Sequence, residues 1–400
     1  MKKVISLILL IILISAMAIG CSVASSPDDV ISLTTPAPTP VPPTETPPPP
    51  PEPTPEPTPV PPLEALPTPD PTPEPTPEPT PPPEPIPNFG FIDAHADSIS
   101  RVLQRDPSEH NLYDNPVLHI DFKRLSQFEA PVQVFVAWCS NSRVSTAFDW
   151  TNQMLDFFER EVAKHSDLIE IAYDLNDIKR IAGEGKITAL LAIEGGEALM
   201  GRIENVDFFY NRGVRILAPT WNRENELGFG QATGSSEGLK PFGIEVIKRM
   251  DELGMILDVS HLNEAGFWDA HNTSTRPYMA SHSNAYSIRA HNRNLRDSQI
   301  TAIVNSGGLI GFNMFPEVVA DNPKVADIMK HFQHFIDLGA AENIGLGCDF
   351  DGIPATPQGI TDVLSLKTLR NELSSHFSPQ TSHNIMELNF YNFFVRYFGE

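Results

Sequence analysis

Five polar residues in the later part of this chain follow short apolar runs, and their types suit a divalent metal. His95 and Asp97 close Phe91-Ile92-Asp93-Ala94-His95-Ala96-Asp97, Glu194 follows Ala189–Ile193, His261 ends Ile256-Leu257-Asp258-Val259-Ser260, and His282 ends Tyr278-Met279-Ala280-Ser281. At i and i+2 of an extended backbone, His95 and Asp97 point the same way and can hold one ion together. A carboxylate that ends a buried strand, as Glu194 does before Gly195-Gly196, is costly to desolvate without a partner. Bridging two ions would satisfy it, and so would a salt bridge to an arginine. His261 and His282, each taken alone, could be hydrogen-bonded core histidines. Nitrogen and oxygen ligands without thiolate suit Zn2+ or a similar divalent ion. Two such ions, about 3.5–4 Å apart, lower the pKa of an attacking water and polarise a carbonyl together, which is hydrolytic chemistry. Asp349, in Gly347-Cys348-Asp349-Phe350-Asp351-Gly352, is then the candidate proton shuttle from that water to a leaving amine, with Asp351 as a competitor.

Such residues need a scaffold that aims them at one place. After Asn88 short apolar runs alternate with amphipathic stretches, the pattern of strands alternating with helices. Eight strands are expected: Phe89–Asp93, Val132–Trp138, Ile187–Ile193, Val214–Ala218, Met255–Val259, Tyr278–Ser281, Leu309–Asn313 and Ile344–Cys348. Met154, Leu155, Phe158 and Val162 make an apolar stripe over Asn152–Lys164, and Ile244, Ile247 and Met250 another over Pro241–Leu253. Eight β/α units in one domain predict a closed (β/α)8 TIM-type barrel rather than an open doubly wound sheet. In such a barrel reactive groups sit past the C-terminal ends of the strands, where the five residues and Asp349 fall.

The N-terminal part is of another kind. Lys2-Lys3, the apolar run Val4–Ile14 and small residues before Cys21 read as an export signal, and Ala18-Ile19-Gly20-Cys21 resembles a bacterial lipoprotein processing site with Cys21 lipidated. An uncleaved membrane anchor is the alternative; either way the domain is expected outside the cytoplasm, held at a membrane. Of 40 prolines, 28 lie between Pro36 and Pro87, in Pro-Thr-Pro-Glu repeats that favour extended polyproline II and have almost nothing to bury. About 50 such residues reach on the order of 150 Å when fully extended. The expected organisation is a signal peptide over residues 1–21, a disordered linker over 22–87 and the barrel over 88–400. A formal net charge of −23 argues against nucleic acid and against binding anionic lipid through basic patches. With Cys21 set aside, Cys139 and Cys348 do not make a disulfide framework and are expected to be small buried residues.

With these residues assembled, the segment from about Phe91 onward resembles the membrane (renal) dipeptidase family, binuclear zinc peptidases among the amidohydrolase barrels. The resemblance rests on Phe91–Asp97, Ala192-Ile193-Glu194-Gly195-Gly196, Asp258-Val259-Ser260-His261, Ser281-His282-Ser283-Asn284-Ala285-Tyr286-Ser287 and Gly347–Gly352. It implies two zinc ions, one bound by His95 and Asp97, the other by His261 and His282, with Glu194 bridging. It also implies that Asp349 lies near the substrate amine and water, and that Arg293, in His291-Asn292-Arg293-Asn294, grips the C-terminal carboxylate of a dipeptide, for which a guanidinium fork is suited. Family members often tolerate a D-residue at the C-terminal side of the dipeptide, and are often homodimers. One departure is visible: Trp221, in Leu217-Ala218-Pro219-Thr220-Trp221-Asn222, stands where mammalian members carry a histidine thought to stabilise the oxyanion. Asn222 or Asn225 is the candidate replacement donor on the substrate, the alternative being that the metals carry the charge alone.

Other signals are set aside. Gly234-Ser235-Ser236-Glu237-Gly238 matches a nucleophile elbow but follows a glycine-rich loop and not a strand. His331 and His334 are expected on a helix surface. A different amidohydrolase, such as an N-acyl-amino-acid deacylase, and a non-catalytic surface binding protein are the alternatives to a dipeptidase.

Overall fold

The computed structural model describes residues 86–399, so the expectations for the signal, Cys21 and the proline-rich linker lie outside the described residues. Nine parallel strands form one sheet: β1 (Ile92–Ala96), β2 (Val132–Trp138), β3 (Ile169–Ile171), β4 (Ile187–Glu194), β5 (Val214–Ala218), β6 (Ile256–Leu257), β7 (Met279–Ala280), β8 (Leu309–Phe312) and β9 (Ile344–Leu346). Eight of them run in the order β6-β5-β4-β2-β1-β9-β8-β7. A parallel bridge between Asp258 and Met279 joins the two ends of that order, so the sheet closes as the expected (β/α)8 barrel. The ninth, β3, pairs with Ile187–Ala189 of β4, on the part of that edge that precedes the β5 pairing at Leu191–Glu194.

The strands are apolar because both faces are covered: every residue of β4 is buried. Alternate residues divide between two layers. Phe135, Leu191, Ile193 and Leu217 belong to one cluster with Met154, Leu155 and Phe158 of the helix Ala147–Lys164 and Ile247 and Met250 of the helix Pro241–Leu253, and Phe312 joins the same cluster beside Phe332 (5.0 Å between ring centres). Val134, Val136, Leu190, Ala192, Ile216, Met279 and Leu309 belong to a separate cluster with the C-terminal helix Asn389–Phe398, which contributes Phe390, Phe393, Phe394 and Tyr397. Two residues beyond Val136, Ala192, Ile256 and Met279 of this set stand Trp138, Glu194, Asp258 and Ser281, and four beyond Leu309 stands Asn313. The strand period of two therefore sends these side chains toward one end of the barrel.

Three expectations need correction. The first strand is Ile92–Ala96 and not Phe89–Asp93, because Gly90 takes a left-handed φ of +64° that no strand accommodates, while pairing continues through Ala96 to Phe135 and Phe350. His95 thus lies inside the strand. Ile244 is only half-buried, and Val246 takes the inward place with Ile247 and Met250. His331 is fully buried and not on a helix surface. On the helix Val325–Asp337 it sits among Ile328, Phe332 and Phe335, accepting the Ala285 N–H at Nδ1 (3.2 Å) and donating from Nε2 to the Val319 carbonyl (3.0 Å). Cys139 and Cys348 are buried and unbridged, as expected.

Candidate active site

The barrel's C-terminal end brings all five expected ligands together. His261 Nε2 lies 3.0 Å from Glu194 Oε1, His282 Nε2 3.4 Å and His95 Nε2 3.8 Å from the same oxygen. Asp97 Oδ2 is 3.4 Å from His95 Nε2. The Nε2 atoms of His261 and His282 face each other at 2.9 Å. His95 Nε2, Asp97 Oδ1 and Glu194 Oε1 are buried without a hydrogen-bond partner, which is unusual for three polar atoms in one place. Two overlapping groups, His95-Glu194-His282 and His95-Asp97-Asp349, have ligand atoms close enough to hold a metal ion. The residues present therefore fit a bound metal: orphaned buried donors of nitrogen and oxygen type converge where a cation would satisfy them.

Electrostatics agree with the geometry. Burial opposes charge on His95, yet the Glu194 carboxylate and Asp97 outweigh it and push the imidazole up to about 10. His261 and His282 are held well below their ordinary value by burial, and Glu194 well above its own by burial. A cluster that draws a proton onto His95 against its desolvation is one that seeks positive charge.

Each histidine is oriented from behind. His261 Nδ1 lies 2.9 Å from Asn222 Oδ1, which also accepts from Gln231 Nε2 (2.9 Å). His95 and His282 both turn Nδ1 toward the hydroxyl of Ser281, at 3.2 Å and 2.7 Å. Backbone strain collects here: among the described residues six non-glycines have positive φ, and three of them are His261 (+69°), Asp349 (+59°) and Asp351 (+69°).

The remaining expected residues line a cavity of about 400 Å³ over the cluster, within the range of small-molecule ligand sites. Asp349 is fixed at Oδ2 by Asn313 Nδ2 (3.0 Å), and burial pushes its carboxyl up to about 7. Arg293 reaches the same cavity, one guanidinium nitrogen donating to the His282 carbonyl (3.2 Å). Asn222 lines it too, but its oxygen is committed to His261 and Gln231, leaving only Nδ2 for a ligand. Asn225 is no candidate: its amide donates to the Pro219 carbonyl and accepts from the N–H groups of Leu227 and Gly228. Asp351 is also spoken for, accepting from Ser98 Oγ and the His119 N–H (2.6 Å), so its carboxylate fastens a loop beside the site. Trp138, Ser281, Asp258 and Asn313 were given no role by sequence reasoning. Each ends an expected strand or lies within one, so the period of two was the signal available. Trp138 packs edge-on against Trp221 at 4.9 Å, and its indole N–H is buried without an acceptor.

Residues 86–396 match the model of the membrane dipeptidase family, peptidase family M19. The chain belongs to that family. It is 29% identical over 296 residues to an uncharacterized dipeptidase of Schizosaccharomyces pombe, covering 68% of this chain and 71% of the relative. It is 30% identical over 287 residues to a dipeptidase of Claviceps purpurea, covering 68% of this chain and 67% of the relative. Among solved structures, a metallopeptidase from Rhodobacter sphaeroides, liganded with a phosphinate mimic of the dipeptide L-Ala-D-Ala, superposes with a TM-score of 0.73 at 23% identity. It covers 77% of this chain and 99% of its own. That likeness establishes the shared barrel. The family is one of metal-dependent hydrolases acting on dipeptides, in agreement with the cation-seeking cluster and the cavity above it.

Proposed function

We propose that this chain hydrolyses the peptide bond of dipeptides with two divalent metal ions, Zn2+ foremost. His95 and Asp97 would hold one, His261 and His282 the other, with Glu194 shared. The observation that carries this is the meeting of the unpartnered His95 Nε2 and Glu194 Oε1 with the facing Nε2 atoms of His261 and His282, beneath a cavity that also contains Asp349 and Arg293. When bound, such ions polarise the scissile carbonyl and make water a nucleophile near neutral pH.

The chain's own groups do the rest. Asp349, held by Asn313 and pushed up to about 7 by burial, is suited to take a proton from the attacking water and return it to the leaving amine. Arg293 offers its fork to the substrate's C-terminal carboxylate and so sets the length of peptide that fits. The dipeptide mimic in the Rhodobacter relative supports extending the substrate class to a D-residue at the C-terminal side. Lys2-Lys3, the apolar run and Cys21 support an exported lipoprotein whose barrel stands on the 22–87 spacer at the extracytoplasmic face. Among the described residues no helix is long and apolar enough to cross a membrane.

The test is turnover of free against N-acetylated dipeptides by zinc-loaded protein. Hydrolysis of the free dipeptide alone is expected; turnover of the blocked substrate alone would instead identify an acyl-amino-acid deacylase.

A further inference from the structure

We infer that Ser281 and Asp258 form a positioning pair that sets the tautomer of His95 and His282 at once, so that one hydroxyl serves both halves of the metal centre. The inference rests on the metal-binding reading above. Ser281 Oγ has four polar neighbours: His282 Nδ1 (2.7 Å), His95 Nδ1 (3.2 Å), Asp258 Oδ2 and, farthest, Ser260 Oγ (3.4 Å). A hydroxyl brings one proton and two lone pairs. The Asp258 carboxylate accepts from the N–H groups of Ser260 and Ser281 at Oδ1, both at 2.9 Å, an arrangement that suits the ionised form. An ionised carboxylate can only accept, so the single hydroxyl proton goes to Asp258 Oδ2. Both lone pairs of Ser281 Oγ are then turned to imidazole nitrogens, and each of those must carry hydrogen. A neutral imidazole with its proton on Nδ1 has its lone pair on Nε2, the atom that faces Glu194 in both rings. Asn222 Oδ1 does the same for His261 alone.

The fold holds this pair rigidly. Asp258 is the residue whose bridge to Met279 closes the barrel, and its carboxylate ties the end of β6 to the residue after β7. Behind Ser281, the β8 and β9 backbones come so near that a Cβ on Gly311 or Gly347 would lie 2.0 Å or 1.8 Å from the Ser281 carbonyl oxygen. Glycine at both positions is therefore required by the approach of three chains around one serine. Asp258, Ser281, His95 and His282 are all buried, so water cannot take over the hydroxyl's role.

Asp258→Asn keeps the shape and reverses the polarity. An asparagine that keeps its oxygen on the two backbone N–H groups presents its NH2 to Ser281 Oγ. The hydroxyl proton then turns to the nearest remaining acceptor, His282 Nδ1 at 2.7 Å rather than Ser260 Oγ at 3.4 Å, which moves that ring's proton to Nε2 and blocks ligation. Ser281→Ala removes the shared acceptor outright. In both variants zinc affinity, measured by competition with a chelating dye, is expected to fall roughly 10- to 100-fold, the usual cost of losing a partner behind a ligand. The second readout is the imidazole N–H signals of [15N]histidine-labelled, zinc-saturated protein. Those of His95 and His282 should shift or vanish while that of His261, held by Asn222, stays. Unchanged affinity and unchanged signals in a zinc-binding protein overturn the inference and leave the metal reading standing. A wild-type protein that binds no zinc overturns both. Should the variants fail to fold, the zinc-saturated wild type still decides: Nδ1–H on both His95 and His282 supports the pair, and ligation through Nδ1 of either ring refutes it.

Discussion

Acidification should unfasten the loop that carries His282 and Arg293, through a histidine that does not line the cavity. His331 is completely buried, and burial depresses its imidazole to about 4 from an ordinary 6.5. It accepts the Ala285 N–H, three residues past His282, and donates to Val319, so only the neutral ring makes both bonds. The native state therefore refuses a proton that the unfolded chain takes up. The stabilisation is complete above about pH 6.5 and is lost progressively as pH falls toward 4. Between pH 7 and pH 4.5 the linkage amounts to about 2 kcal/mol from this residue alone. His331→Gln cannot titrate and keeps a donor for the Val319 carbonyl. It should be less stable at pH 7 by roughly 1–3 kcal/mol, for the Ala285 N–H left unsatisfied. Its further loss on going to pH 4.5 should be smaller than the wild type's by about 2 kcal/mol. Urea denaturation of both proteins at the two pH values measures this. Equal losses in wild type and variant would show that His331 is protonated without penalty in the folded state and refute the reasoning.

Three further outcomes are expected. Asp349→Asn suits the left-handed backbone at φ +59°, and should lower kcat by roughly 10²- to 10⁴-fold with zinc content unchanged; parallel loss of metal would make Asp349 a ligand instead of a proton shuttle. Arg293→Lys keeps the charge but loses the fork. It should reduce kcat/KM for a dipeptide roughly 10- to 100-fold and leave the slow turnover of a dipeptide amide unaffected. Trp138→Phe removes a buried N–H that has no acceptor while keeping the edge-on contact with Trp221. Thermal stability should hold or rise while kcat/KM falls about fivefold if that N–H donates to the bound substrate; an unchanged kcat/KM would exclude the donation.

Much of this architecture is legible in the sequence because strands buried on both faces must be apolar throughout, and a carboxylate or histidine at their ends stands out. Glu194 after Ala189–Ile193 and Asp349 after Ile344–Cys348 are visible for that reason. Ile169–Ile171 is too short to register as a strand, and Gly90 displaces the first strand through a backbone angle that composition does not reveal. His331 continues the stripe Ile328, Phe332 and Phe335 at helical spacing, so its burial was written in the pattern; its polarity drew it to the surface in the reading. The contacts of Ser281 with Asp258, His95 and His282 join the ends of three different strands, and the hold of Asn313 on Asp349 joins two more. Such partners are set by barrel closure and are invisible to local spacing.

The central claim is that one cluster of five side chains binds the metal on which dipeptide hydrolysis depends. Titrating metal-stripped protein with Zn2+, while following both bound ions per chain and hydrolysis of a free dipeptide, tests it most directly. Two ions per chain with activity appearing as they bind is the predicted result. Full hydrolytic activity in the metal-stripped protein would contradict it.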